Sequence, residues 1–185
     1  MPDIFSILKF SFVALCFLFA LVTRERTRDG WLLRAALFLT VCADFNMVLF
    51  GNNLPGLIFF CAVQSVYCVR YASVRYAAGL CAAWVISAAV MLALKTDALN
   101  LFTVLYALSF VFSLTAVYRA KKYARPYDIL TRLGMTLFFL CDVNVALYNA
   151  VPAHAEVFYV LLWIFYLPSQ AVLALSAACH SCHAI

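Results

Sequence analysis

The sequence predicts an all-α polytopic membrane protein, folded as a single transmembrane helical domain over residues 1–185. Hydrophobic residues make up 68% of the chain and charged residues only 11%, and the mean hydropathy is +1.01. A soluble domain of this length has too small a core to bury so much apolar surface. The apolar runs are also too long and continuous for the alternating strands of a membrane barrel.

Seven apolar runs approach the ~20 residues that a helix needs to cross the hydrocarbon core of a bilayer. The third run begins beside Pro55 and Gly56, and Pro152 separates the last two, as expected for proline at helix starts and breaks. No basic segment precedes the first run, so we expect a retained span and not a cleaved signal peptide. The predicted spans are 4–22, 31–51, 54–71, 74–94, 98–118, 128–149 and 156–178.

The basic residues predict the orientation of these spans. Eleven of the 13 Lys and Arg residues fall at span ends that share one side of the membrane. The positive-inside rule makes that side cytoplasmic, so the N-terminus is expected on the non-cytoplasmic side and the C-terminus in the cytoplasm. Charge that follows span ends does not indicate nucleic-acid binding, and the expected partners are membrane lipids. The eleven residues are Arg24, Arg26, Arg28, Arg34, Arg70, Arg75, Arg119, Lys121, Lys122, Arg125 and Arg132.

A pattern of the form D-x-N-x-x-L-aromatic occurs twice, at residues 44–50 and 142–148. The copies lie on spans 2 and 6, which run in the same direction, and this predicts a 3+1+3 parallel duplication with span 4 as connector. A carboxylate in hydrocarbon costs roughly 2.5–3.5 kcal/mol on insertion scales, so an intramembrane aspartate usually marks a functional site. Asp44 and Asp142 are therefore the predicted catalytic residues.

Both aspartates are predicted to lie roughly 20 Å from the cytoplasmic helix ends, at about 1.5 Å per residue, so they can meet inside the bundle. One carboxyl group would hold a proton while the other is ionised, which divides the roles of acid and base between them. The structural alternative is a hydrogen-bonded pair that joins two helices.

Further polar side chains are candidate substrate contacts. Gln64 and Tyr67 share a face of span 3, and Tyr166 and Gln170 share a face of span 7. Each pair supplies polar groups in an otherwise apolar helix, either as ligands or as supports of the site.

Asn46 and Asn144 each follow an aspartate by two residues and so face about 200° away from it. They are candidate substrate contacts, but we expect them to bond neighbouring helices. No cofactor or metal site is predicted, because the spans contain no histidine and the cluster at 179–183 has no standard zinc spacing.

Two segments resemble the YhhN-like lysoplasmalogenase family of membrane proteins. Residues 134–147 are similar to its G-x-x-x-F-x-x-S-D-x-x-x-A-L segment, and residues 166–176 to its Y-x-x-x-Q-x-L-I-A-x-S segment. Ala43-Asp44 stands where the family has Gly-Asp, and Gln64 stands where it has a histidine. The resemblance covers about 31–71 and 128–178, and the family usually has eight spans where this chain has seven.

The resemblance implies hydrolysis of the vinyl ether bond of a lysophospholipid substrate, which releases a fatty aldehyde and glycerophospho-ethanolamine or -choline. Such bonds break after protonation of an alkene carbon, a step that a buried acid can perform. Two alternatives remain open from the residues alone. One is a proton-coupled transporter, which needs a polar path open at both faces, and the other is a non-catalytic lipid-binding protein.

Overall fold

The computed structural model describes residues 4–23, 27–72, 74–120 and 125–180, and these contain seven helices long and apolar enough to cross a membrane and no strand. The predicted fold class is confirmed, and the predicted spans agree with the helices within a few residues. The helices are α1 Ile4–Val22, α2 Arg28–Asp44, α3 Asn53–Tyr71, α4 Val74–Ala93, α5 Ala98–Arg119, α6 Arg125–Ala150 and α7 Ala155–His180.

Some residues used for the sequence predictions lie outside the described part of the chain. They are Arg24, Arg26, Lys121, Lys122 and the side chains of Arg125 and of the cluster at 179–183.

Connections of five residues or fewer join the helices, except that eight residues, 45–52, lie between α2 and α3, and the first five of these, Phe45–Leu49, continue α2 as a π-helix. Five extended residues reach at most about 18 Å, which is less than the ≈30 Å hydrocarbon core, so consecutive helices run antiparallel. We call the side with the ends of α1, α3, α5 and α7 the basic side, and the other the opposite side. The orientation of the basic side toward the cytoplasm stays a prediction.

Five helices form a closed ring in the order α2, α3, α5, α6, α7, with α7 returning to α2. The most extensive contact joins α6 and α7. Helix α1 packs outside the ring against α2 and α7, and α4 packs outside it against α5 and α3. The 3+1+3 duplication stays a prediction.

A buried ion pair joins helices at the basic side of the ring. Arg70 on α3 is 5% exposed, and its Nη2 lies 2.8 Å from Oδ2 of Asp29 on α2. The guanidinium also donates to the hydroxyl groups of Tyr127 on α6 and Tyr71 on α3, and lies 3.5 Å from Oγ of Ser176 on α7. A single side chain thus connects α2, α3, α6 and α7.

Helix α1 is held to α2 by another arginine. Nε and Nη2 of Arg34 donate to the carbonyl oxygens of Ala20 and Thr23, at 2.9 and 2.6 Å. The last carbonyl groups of a helix have no partner within it, so these bonds satisfy the end of α1. They hold α1 beside the ring even though most of its surface faces outward.

Close packing of α6 on α7 predicts the effect of a methyl group at Gly134. A Cβ there would lie 2.7 Å from Cγ of Leu173 and 3.3 Å from its backbone nitrogen. We expect Gly134→Ala to lower the free energy of unfolding by about 1–2 kcal/mol, since overpacking outweighs the better helix propensity of alanine. Gly79→Ala is the control, because its Cβ would meet only Phe112, at 3.7 Å. Reversible unfolding in mixed micelles measures both, and equal stabilities would contradict this account of the contact.

The ion pair gives a second prediction. Asp29→Asn leaves the Arg70 charge buried without its carboxylate, so we expect a loss of about 3 kcal/mol in unfolding free energy. Asp128→Asn is the matched control, because the Asp128–Arg132 pair is partly exposed on a single helix and such pairs contribute less than about 1 kcal/mol. The same unfolding measurement applies, and similar losses in both variants would show that burial of the Arg70 charge has no special cost.

Candidate functional site

Asp44 is the last residue of α2 and is 3% exposed. The hydroxyl group of Tyr166, on α7, donates a hydrogen bond to Asp44 Oδ2 at 2.7 Å. Phe45–Leu49 continue the helix as a π-helix, a form that often occurs at functional sites. Gly51, with φ of +66°, then ends the segment in the left-handed conformation that glycine adopts readily. The carboxyl group therefore lies at a change of helix type and is bonded to the neighbouring helix α7.

Asp142 lies on α6 and has a tyrosine partner of its own. The hydroxyl group of Tyr106, on α5, donates to Asp142 Oδ2 at 2.6 Å. Both Asp142 and Tyr106 are partly exposed, unlike Asp44 and Tyr166. Each aspartate thus bonds to a tyrosine, whereas the sequence analysis held only that the two carboxyl groups could meet inside the bundle.

Aromatic rings join the two aspartate–tyrosine pairs. The Phe138 ring lies 5.8 Å from the Tyr166 ring and 6.1 Å from the Phe60 ring, which in turn lies 5.9 Å from the Tyr106 ring. The two pairs therefore line one largely apolar region inside the ring.

Three predicted contact residues are completely buried and carry polar atoms without a partner among the described residues. These atoms are Nε2 of Gln64, which lies near the Tyr106 hydroxyl group without a hydrogen bond of normal geometry, the hydroxyl oxygen of Tyr67 and Oε1 of Gln170. The other amide atoms are bonded, since Gln64 Oε1 accepts from Ser113 at 2.6 Å and Gln170 Nε2 donates to Ser169 at 3.3 Å. Buried polar atoms nearly always have partners, so such atoms indicate places for water or a ligand.

Asn46 and Asn144 both bond within their own helices. Nδ2 of Asn46 donates to the carbonyl oxygen of Cys42 at 2.8 Å, and Nδ2 of Asn144 to that of Leu140 at 2.7 Å. The expectation that these amides bond neighbouring helices is not met by these bonds. Each amide group instead occupies a carbonyl oxygen one turn earlier, just before its aspartate.

The sequence analysis missed the partners on α5. Tyr106, Ser109 and Ser113 recur at spacings of three and four residues, which places them on one helix face. The first binds Asp142 and the last binds Gln64, and Gln64 also lies close to the Tyr106 hydroxyl group. This spacing was a readable signal for a polar face directed into the bundle.

The whole helical bundle matches a known protein family. The model of the YhhN family matches residues 4–177, from the start of α1 to near the end of α7. The chain belongs to the YhhN family. The resemblance seen in the motifs around Asp142 and Gln170 is thereby confirmed. Searches for similar curated proteins and for similar solved structures found no match to this YhhN-family chain.

The hydrogen bond from Tyr166 to Asp44 should contribute to the stability of this YhhN-family protein. Tyr166→Phe removes the donor to Asp44 and leaves a buried carboxyl group with one bond fewer, so we expect stability to fall by about 1–3 kcal/mol. Tyr118→Phe is the control, because its exposed hydroxyl group pairs only with Thr136 on the surface. Thermal unfolding in detergent compares the two, and equal midpoints would mean that the Tyr166–Asp44 bond contributes nothing.

Proposed function

We propose that this protein is an intramembrane hydrolase that cleaves the vinyl ether bond of lysoplasmalogens. The observation that carries the proposal is the pair of carboxyl groups inside the ring, each hydrogen-bonded to a tyrosine, in a chain of the YhhN family. Aspartate carboxyl groups can donate and accept the protons that acid–base catalysis transfers. Ionisable residues are costly to bury in a membrane and usually mark a functional site.

The proposed reaction begins with transfer of a proton from one aspartate to the alkene carbon that does not carry oxygen. The other alkene carbon becomes an oxocarbenium ion, which the second carboxylate stabilises by its negative charge. Water adds to that carbon and loses a proton to a carboxylate, which gives a hemiacetal. Collapse of the hemiacetal breaks the carbon–oxygen bond and releases a fatty aldehyde and the glycerol hydroxyl group, with the acid restored.

The unpaired atoms of Gln64, Tyr67 and Gln170 suit the polar parts of this reaction. They can hold the attacking water or the hydroxyl group of the glycerol unit. Gln64 replaces a histidine of the family motif, and an amide can donate and accept hydrogen bonds but does not take up a proton near neutral pH. Proton transfer is therefore assigned to Asp44 and Asp142.

Closure of the ring at the basic side favours an enzyme over a transporter. Arg70, Tyr127 and Asp29 fill that end with a bonded cluster, and Arg70 and Tyr127 are at most 5% exposed. A transporter must open to each face in turn, and this bonded cluster would have to break for the ring to open at the basic side, whereas a pocket for a membrane lipid can stay closed at one end. In the proposed orientation the basic side faces the cytoplasm, so substrate comes from the opposite leaflet.

Aldehyde release from lysoplasmalogen tests the proposal. Asp44→Asn and Asp142→Asn should each lower turnover at least about 100-fold, the usual size of a general acid or base contribution. Asp128→Asn, which alters a partly exposed carboxylate on the same helix as Asp142, should retain activity. Purified protein in detergent, with the aldehyde trapped as a hydrazone and measured by mass spectrometry, provides the assay.

Deuterated water adds a readout of the mechanism. Protonation at carbon places one deuterium next to the aldehyde carbon and slows turnover, because carbon protonation limits the rate. Unchanged turnover in both aspartate variants would exclude the proposed chemistry. Folded wild-type protein that releases no aldehyde would turn attention to transport or lipid binding.

A further inference from the structure

Lys9 is a cation that the proposed chemistry does not use. It lies in α1, five residues after Ile4, and so about 8 Å along the helix from its start. Its Nζ donates to the hydroxyl group of Tyr159 at 3.0 Å and lies 4.0 Å from the centre of the Trp163 ring. The side chain therefore points toward α7 and is held by two aromatic side chains of that helix.

The charge of Lys9 has no carboxylate partner in the described part of the chain, where no acidic oxygen lies within 4 Å of Nζ. A lysine within a membrane span is costly and usually pairs with another group. An ammonium group has three N–H donors, of which the bond to Tyr159 uses one. Tyrosine and tryptophan orient the group without neutralising it, so it remains able to bind an anion.

An open apolar groove begins at Lys9. It is a shallow, largely open depression with a volume of ≈570 Å³. Val160 and Ile164 in its wall are each 55% exposed, so the groove faces the surrounding lipid. The lining consists of Lys9, Tyr159, Val160, Trp163, Ile164, Leu167 and Pro168. A charged head and an otherwise apolar wall are complementary to an amphiphile with an anionic head and a hydrocarbon chain.

The groove lies next to the buried Asp44. The Trp163 ring is 5.7 Å from the ring of Tyr166, which donates to Asp44. The Phe10 ring, beside Lys9 in the chain, lies 6.1 Å from the ring of Phe45, which follows Asp44. Lys9 and Asp44 are therefore at the same level of the bundle, with Trp163 and Tyr166 between the groove and the carboxyl group.

We infer that this groove binds a single-chain phospholipid, with its phosphate on Lys9 and its chain along α7. The inference rests on the proposed function in that it names the place on the lipid-facing surface where the substrate of that reaction is first bound, before it reaches the carboxyl groups inside the ring. In a lysoplasmalogen the vinyl ether and the phosphate are joined to the same glycerol unit. A phosphate at Lys9 therefore holds the reactive bond at the level of Asp44.

Quenching of Trp163 fluorescence measures this binding without turnover. Trp31→Phe and Trp84→Phe together leave Trp163 as the only tryptophan. The probe is a lysophosphoethanolamine with a saturated ether bond and a brominated chain, added to protein in phosphatidylcholine nanodiscs. The matched probe is the brominated monoalkylglycerol, which lacks the phosphate.

We expect the phospholipid probe to quench Trp163 and to bind at least about tenfold more weakly after Lys9→Gln, because a charge-assisted hydrogen bond is lost. Lys95→Gln, which removes a lysine from the connection between α4 and α5 on the same side, should leave the affinity unchanged. The neutral probe should not respond to either change. Lys9→Arg should retain the affinity, and Tyr159→Phe, which removes the hydroxyl group that orients Lys9, should reduce it.

Equal affinity of the phospholipid probe for wild type and Lys9→Gln would overturn the inference, and so would equal affinities of the two probes for wild type. The outcome is separate from that of the aldehyde assay. Lys9-dependent binding without aldehyde release would leave the groove established and the hydrolase proposal wrong. Aldehyde release with the same KM in wild type and Lys9→Gln would support the hydrolase proposal and overturn the assignment of the groove.

Discussion

Burial of the Arg70 charge is the constraint on which the rest of the bundle depends. A guanidinium group inside a helical ring is tolerable only where a carboxylate and further acceptors surround it, and Asp29, Tyr127, Tyr71 and Ser176 supply them. Because these groups come from α2, α3, α6 and α7, the relative rotation of four helices is set at the basic side. The same four helices carry both aspartates and both glutamines of the site, so this cluster fixes which side chains point into the ring.

The positions of the spans and of the two aspartates could be predicted because both follow from the cost of transferring groups into hydrocarbon. Gln64, Tyr67 and Gln170 were singled out by the same cost, and all three are buried. The partners of the aspartates depend on which helices become neighbours, and hydropathy carries no information on helix order. For that reason Tyr106 was overlooked, and Arg70 was interpreted as a marker of topology although it is a buried connection.

The two aspartates share a sequence pattern but not an environment. Asp44 is enclosed and bonded to buried Tyr166, whereas Asp142 and Tyr106 are partly exposed at the contact of α5 and α6. Two carboxyl groups in unequal surroundings are the usual basis for a division between proton donor and acceptor. A duplication in the sequence therefore does not imply two equivalent half-sites.

The π-helix after Asp44 changes how the two copies of the pattern should be aligned. A π-helical turn contains one residue more than an α-helical turn, and one residue corresponds to about 100° of rotation. The residues after Asp44 are thus turned by about a quarter circle relative to those after Asp142, which continue as an ordinary α-helix. Phe50 accordingly packs on Phe45, whereas its counterpart Tyr148 packs on Tyr159 of α7. Beyond the aspartates, letter-by-letter matching of the copies pairs side chains that point in different directions, and a structural superposition would need a one-residue gap there.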